Sequence, residues 1–184
     1  MQKIKSSCIV SSAAFSVKKS DSFNKKPPVV GDLVFGEVSA IGHHRLVESK
    51  SGRQHTLNVG TRAIFVFGNR YAPDQFEGIV PDSSQEFVEL FSQGGVVGEV
   101  KTQNQMVGVT TKIKVINTTD YVLISSKNSA RNKKGAKIIL CIGTTMNSGK
   151  THAAAACCYA ISSMGKSVRA AKITGTASLK DILL

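Results

Sequence analysis

Residues 136–151 read AKIILCIGTTMNSGKT, and how this stretch divides decides the fold of the C-terminal part of the chain. AKIILCIG is a continuous apolar run without alternation, the pattern expected of a parallel strand buried on both faces. Small and short polar residues follow, and Gly149-Lys150-Thr151 closes the stretch. KTHAAAACCYAISSMG is alanine-rich, long enough for a helix, and stops at Gly165, a natural C-cap. SVRAAKITGT then reads as a second strand running into a glycine-containing turn. Strand, glycine loop, helix and strand make one βαβ unit, whose strands should be parallel and whose crossover should be right-handed.

The loop in the middle has the chemistry of phosphate binding. Small or short polar residues, Thr144, Thr145, Asn147, Ser148 and Gly149, let backbone N–H groups close on an anion within a loop that also holds Gly143 and Met146. A helix starting at Lys150 adds its positive N-terminal end. Lys150 would reach the β- and γ-phosphate oxygens, and the Thr151 hydroxyl would ligate Mg²⁺. The common spacing is Gly, four residues, then Gly-Lys-Ser/Thr; here Thr144 stands at the glycine position and Gly143 comes one residue earlier.

That extra residue gives GTTMNSGKT a likeness to a known family. It resembles the loop of dethiobiotin synthetase and its relatives, with Gly143-Thr144 and Gly149-Lys150-Thr151 at the matching positions. The resemblance covers residues 137–181 and implies a lysine after the next strand, beside a Ser/Thr-Gly turn near phosphates and substrate. Lys172, Thr174 and Gly175 fall there. The chain departs from the family in having Ile173 rather than Pro after that lysine, and Thr145 rather than an acid at the third loop position. The arrangement of a small β domain ahead of such a loop also resembles two-domain P-loop proteins of uncharacterised activity.

The remaining chain reads differently. Residues 1–30 end in two lysines and two prolines, as a flexible lead-in. From Gly31 to Ser125 short strand-like runs recur, among them GDLVFGEVSA, RLVES, RQHTLNV, TRAIFVFG, EGIVP, GVVGEVKT, MVGVTTKIKVI and DYVLIS. Close spacing with Gly, Asn, Pro or Asp between them predicts a small β-barrel or sandwich over 31–125. EFVELF reads as another of these strand-like runs, with a helical turn in SQEFVELFS, capped by Ser83 or Ser84, as the alternative. Residues 126–136 are a basic linker, and 137–184 begin a P-loop domain. The fold class expected is therefore α+β: a small β domain, then an incomplete α/β parallel-sheet domain. A doubly wound domain needs five or more strands, and the sequence offers two, so this part reads as truncated.

Net charge is +12, distributed as +5 over residues 1–30, −2 over 31–125 and +9 over 126–184. The acidic middle argues against nucleic acid, although GDLVFGEVSAIG resembles the opening strand of RNA-binding oligonucleotide-fold barrels. Such barrels need exposed aromatics for stacking, whereas Phe35, Phe65, Phe67, Phe76, Phe87 and Phe91 mostly sit in runs that read as core. Within GNRYAPDQFEG, residues Asn69, Arg70, Tyr71, Asp74, Gln75 and Glu77 make either a binding loop or a turn in which Asp74 and Glu77 form a capping box. Arg70 is the residue there to test for a ligand. His43 and His44 are strand neighbours facing opposite sides, unsuited to share a metal. His152 reads as a helix-surface residue, and Asp181 as a weak metal contact at the chain's end. Cys8, Cys141, Cys157 and Cys158 lack CxxC spacing and suit a reducing cytoplasm. No apolar run is long enough to span a membrane.

The function expected is binding of ATP or GTP with Mg²⁺, coupled in a complete enzyme to phosphoryl transfer or ligation on a small molecule. Lys150 and Lys172 would be the catalytic cations, Gly143 to Thr151 the nucleotide loop, and Thr151 the metal ligand. Self-association is compatible with this reading. The competing expectation is a β domain that binds RNA or a protein partner, beside a P-loop remnant without catalysis.

Overall fold

The computed structural model describes residues 5–6, 26–49, 52–119, 137–144 and 147–172. The linker at 126–136, DYVLIS, Thr145, Met146, and Thr174, Gly175 and Asp181 lie outside them, as do Cys8 and most of the lead-in. The described residues form two units, one through residue 119 and one from residue 137.

The first unit is built of ten strands: β1 (Lys5–Ser6), β2 (Leu33–Ala40), β3 (Leu46–Glu48), β4 (Gln54–Thr56), β5 (Arg62–Phe67), β6 (Arg70–Tyr71), β7 (Phe76–Ile79), β8 (Phe87–Leu90), β9 (Val96–Gln103) and β10 (Thr111–Thr119). β2 pairs antiparallel with β5 on one side and β10 on the other. β10 continues to β8, and β8 to β9, again antiparallel. A short parallel seam, Val66↔Val96 and Phe67↔Val97, joins β9 back to β5 and closes the ring β2–β5–β9–β8–β10. A barrel closed in this way leaves its central strands without unpaired edges. β7 and β6 extend the far half of β9, and β3 with β4 forms a separate hairpin.

β5 explains how the core is divided. Its sequence RAIFVF is buried at every residue but the first. Successive strand residues face opposite sides. Ala63, Phe65 and Phe67 accordingly join Val34, Val38, Val88, Leu90, Val97 and Ile113 in one cluster. Ile64 and Val66 join Leu33, Phe91 and Val96 in a second. The strand is apolar throughout because it packs on both faces.

Glycines govern the second cluster. The fully buried Phe91 ring lies where a Cβ on Gly78 of β7 would stand, while a Cβ on Gly98 of β9 would first collide with Ile79 O and then crowd the ring. Gly78 thus makes room for the aromatic ring, and Gly98 for the neighbouring strand's backbone with the ring beside it. Across the sheet, Glu89 binds its neighbours on both sides: one carboxylate oxygen accepts from Val100 N at 2.8 Å, the other from Thr110 Oγ1 at 2.6 Å. Glu89→Ala should cost about 1–2 kcal/mol by leaving these donors unpaired, read as a lowered urea midpoint at unchanged slope.

SQEFVELFS is not helical. Phe87–Leu90 is the strand β8, with Val88 and Leu90 buried and Phe87 exposed, so the period is two. The capping box at Asp74 and Glu77 is likewise absent, because Phe76–Ile79 is a strand and Glu77 accepts from Thr102 Oγ1 instead.

The second unit corrects the expected fold class. Residues 137–143 form no strand, and Ile138, Ile139, Leu140 and Ile142 are exposed. Residues 166–172 form no strand either. Among the described residues there is one helix, α1 (Lys150–Ser163), with no buried residue. The described residues therefore do not form the expected incomplete α/β parallel-sheet domain; they are mainly antiparallel β with one helix. A strand exists only through a ladder partner, and the apolar run of 138–142 finds none among the described residues. The helix does end as expected: Gly165 adopts φ 71°, Lys166 N bonds Ile161 O and Gly165 N bonds Ser162 O, a Schellman cap. No helix among the described residues is long and apolar enough to cross a membrane.

Candidate functional site

The loop ahead of α1 turns on two left-handed residues. Gly149 has φ 82° and Asn147 has φ 59°, and asparagine is among the few side chains that tolerate this region. The first helical bond runs from Ala153 N to Gly149 O at 2.9 Å. The amides of Lys150, Thr151 and His152 thus precede the helical ladder, and the first turn contains no acidic residue. Gly143 lies so close behind the turn that a Cβ there would collide with Ser148 Oγ and crowd the Lys150 stem. Lys150 Nζ donates to Ser148 Oγ at 3.0 Å.

The residues singled out from the sequence fall as follows. Gly143, Ser148 and Lys150 are brought together, with Asn147 and Gly149 shaping the turn between them. Thr144 is exposed beside Gly143, and Thr145 and Met146 are outside the described residues. Thr151 is half-buried in the first helical turn, and His152 is exposed, as expected of a helix-surface residue. Lys172 is exposed on a stretch that forms no strand, so the second strand that was to deliver it beside the phosphates is missing. The described cysteines Cys141, Cys157 and Cys158 are free thiols.

The arrangement suits an oxyanion. Turn amides and the helix end supply positive potential, glycine at 143 and 149 permits close backbone approach, and Lys150 supplies a full charge. For Mg²⁺ the chain offers the Thr151 hydroxyl. Among the described residues no group of three or more His, Cys, Asp or Glu could hold a metal. A cation here would take its other ligands from phosphate oxygens and water.

A second cluster sits in the β unit, around the Arg70 that GNRYAPDQFEG offers for a ligand. His44 is 6% exposed, and Arg70 Nη1 lies 3.3 Å from its Nε2. A guanidinium has no acceptor, so Nε2 accepts and the ring is neutral with its proton on Nδ1. Burial, then the charge of Arg70, then His43, push the His44 pKa down to about 4, against a bond to the Phe91 backbone that raises it. Arg70 Nη2 donates to Gln75 Oε1 at 2.8 Å. Phe76 packs edge-on against both His43 and His44, at 5.7 and 5.8 Å between ring centroids. Thr111 Oγ1, fully buried, accepts from Gly42 N and donates to His44 O, which fixes the loop carrying both histidines. Of the other residues of GNRYAPDQFEG, Asn69 Oδ1 accepts from Val80 N, while Tyr71 and Asp74 are exposed.

The aromatic side chains of the β unit are largely core: Phe65, Phe67, Phe76 and Phe91 are buried, and only Phe87 and Tyr71 among its described Phe and Tyr residues are exposed. Compared with protein-family models, with curated proteins and with solved structures, the chain finds no match in any of the three.

Proposed function

We propose that residues 143–151 hold the phosphate groups of ATP or GTP together with Mg²⁺, and that the protein uses the bound nucleotide for phosphoryl transfer or ligation on a small molecule. The observation that carries this reading is the closeness of Gly143 to Ser148 and Lys150, which gathers a glycine, a hydroxyl and a lysine at a helix N-terminus. Left-handed Asn147 and Gly149 support it, because they set the turn from which successive amides converge. In this proposal Lys150 neutralises the β- and γ-phosphates, leaving its bond to Ser148 Oγ when the anion arrives. Thr151 holds the metal through its hydroxyl, and Lys172 contacts phosphate or substrate. The same reading places the protein in a reducing cytoplasm, where its cysteines stay thiols.

The test is nucleotide affinity of the full chain with Mg²⁺, by calorimetric titration of ATP and of GTP. Lys150→Ala should weaken binding by about tenfold or more, since a charge-assisted contact to phosphate is lost. Gly143→Ala should weaken it as well, by pushing Ser148 and Lys150 out of place. Absence of binding by the wild type, or equal affinity in Lys150→Ala, would end the assignment.

A further inference from the structure

We propose that Arg70 anchors a binding site for a small-molecule carboxylate at the end of the barrel where the loop 41–45, the turn 72–75 and the loop 104–110 meet. Backbone bonds tie these three segments together: His43 N donates to Val109 O at 2.8 Å, and Asn104 N to Gln75 O at 2.9 Å. Asn104 Nδ2 also reaches Pro73 O at 3.3 Å. The guanidinium therefore stands on a braced platform.

What distinguishes Arg70 is the kind of partner it has. Its two hydrogen bonds go to neutral acceptors, the His44 imidazole and the Gln75 amide. They fix the plane of the guanidinium while engaging two of its five N–H donors. The side chain is half-buried, and burial lowers its pKa while the Asp74 carboxylate, acting through space from the neighbouring turn, opposes that. A cation positioned by neutral groups and partly removed from water is stabilised by an incoming anion. One guanidinium, with no second fixed positive charge bonded to it, matches a single negative charge, and its planar fork matches a carboxylate. Acceptor-only contact at Nε2 also keeps His44 neutral, so the imidazole orients Arg70 without adding charge.

His43 and His44 report on this site, since both rings pack at Phe76 beside it. The experiment follows their ring resonances by NMR in the full chain at about pH 7.5, where a histidine of ordinary pKa is neutral. Sodium propionate is titrated against sodium chloride at matched ionic strength, with inorganic phosphate as a third arm. Propionate should give a saturable shift that chloride does not, weakened about tenfold in Arg70→Gln and less so in Arg70→Lys, which keeps charge but loses the fork. Asp74→Asn should tighten binding two- to threefold by removing a competing carboxylate, an effect a purely structural Arg70 would not produce. An equal response to chloride, or an affinity unchanged in Arg70→Gln, overturns the site. Saturation by phosphate and not propionate overturns the carboxylate assignment. Should Arg70→Gln fail to fold, an unchanged affinity in Asp74→Asn decides against the proposal.

Discussion

Phe91→Ala will lower the unfolding free energy by about 4 kcal/mol, the scale for deleting a buried aromatic ring and leaving a cavity. The ring is fully buried among Leu33, Ile64, Val66 and Val96. It also covers the bare backbones of Gly78 and Gly98, which cannot fill the space it leaves. Gly78→Ala alone should cost about 2 kcal/mol, because its methyl would overlap the ring and the packed cluster has little room to yield. Combined with Phe91→Ala, the same methyl enters an empty space, and its cost should fall to near zero or reverse. The coupling in this double-mutant cycle, measured by urea unfolding, should exceed about 1 kcal/mol. Simple additivity would mean that the glycines are there for some other reason than the ring.

Acidification will destabilise the fold through His44. Its pKa in the fold is about 4, below the ordinary 6.5. The unfolded chain therefore takes up this proton first, and stability falls as pH drops. The full contribution is present above pH 6.5 and declines from there down to about 4, below which this residue changes nothing further. At pH 4.5 the loss amounts to about 2.5 kcal/mol. The groups facing the imidazole are Arg70 and His43, both of which disfavour a second positive charge, and the Phe91 backbone, which favours it; Asp74 acts on the Arg70 side. The measurement is the difference in urea stability between wild type and His44→Gln across this range, which cancels the carboxylates common to both. A difference that stays constant from neutral pH to 4.5 would show that the ring does not titrate as its surroundings require.

The β unit was legible where one residue pattern had one meaning. Alternation in GDLVFGEVSA and the turn chemistry around TRAIFVFG located β2 and β5, because strand period and loop residues agreed. EFVELF carried two meanings, because Phe87, Val88, Leu90 and Phe91 satisfy a helical spacing as well as a strand's, and the strand is what forms. Its period of two shows in buried Val88 and Leu90, with Glu89 on the other face bonding Val100 and Thr110. AKIILCIG misled. An apolar run records a preference for burial but does not supply the strands that would provide it, and Ile138, Ile139, Leu140 and Ile142 are left exposed. After it, Asn147 and Gly149 adopt the left-handed backbone that their residue types tolerate, a need set locally and not by distant partners. The pairing of His44 with Arg70 was not legible, because residues 26 apart meet only through the course of the intervening strands.

The ladder between β2 and β10 pairs Leu33 with Thr119 and Ala40 with Lys112, so the first long strand of the unit awaits the last. On a ribosome, β2 can pair with β5 once residue 67 is released, but its other edge stays open until residue 119 follows. Chain entropy makes such distant pairings slow to form. Synthesis therefore passes through an interval in which this unit is most vulnerable to aggregation and to proteases, and it ends only when β10 closes the ring.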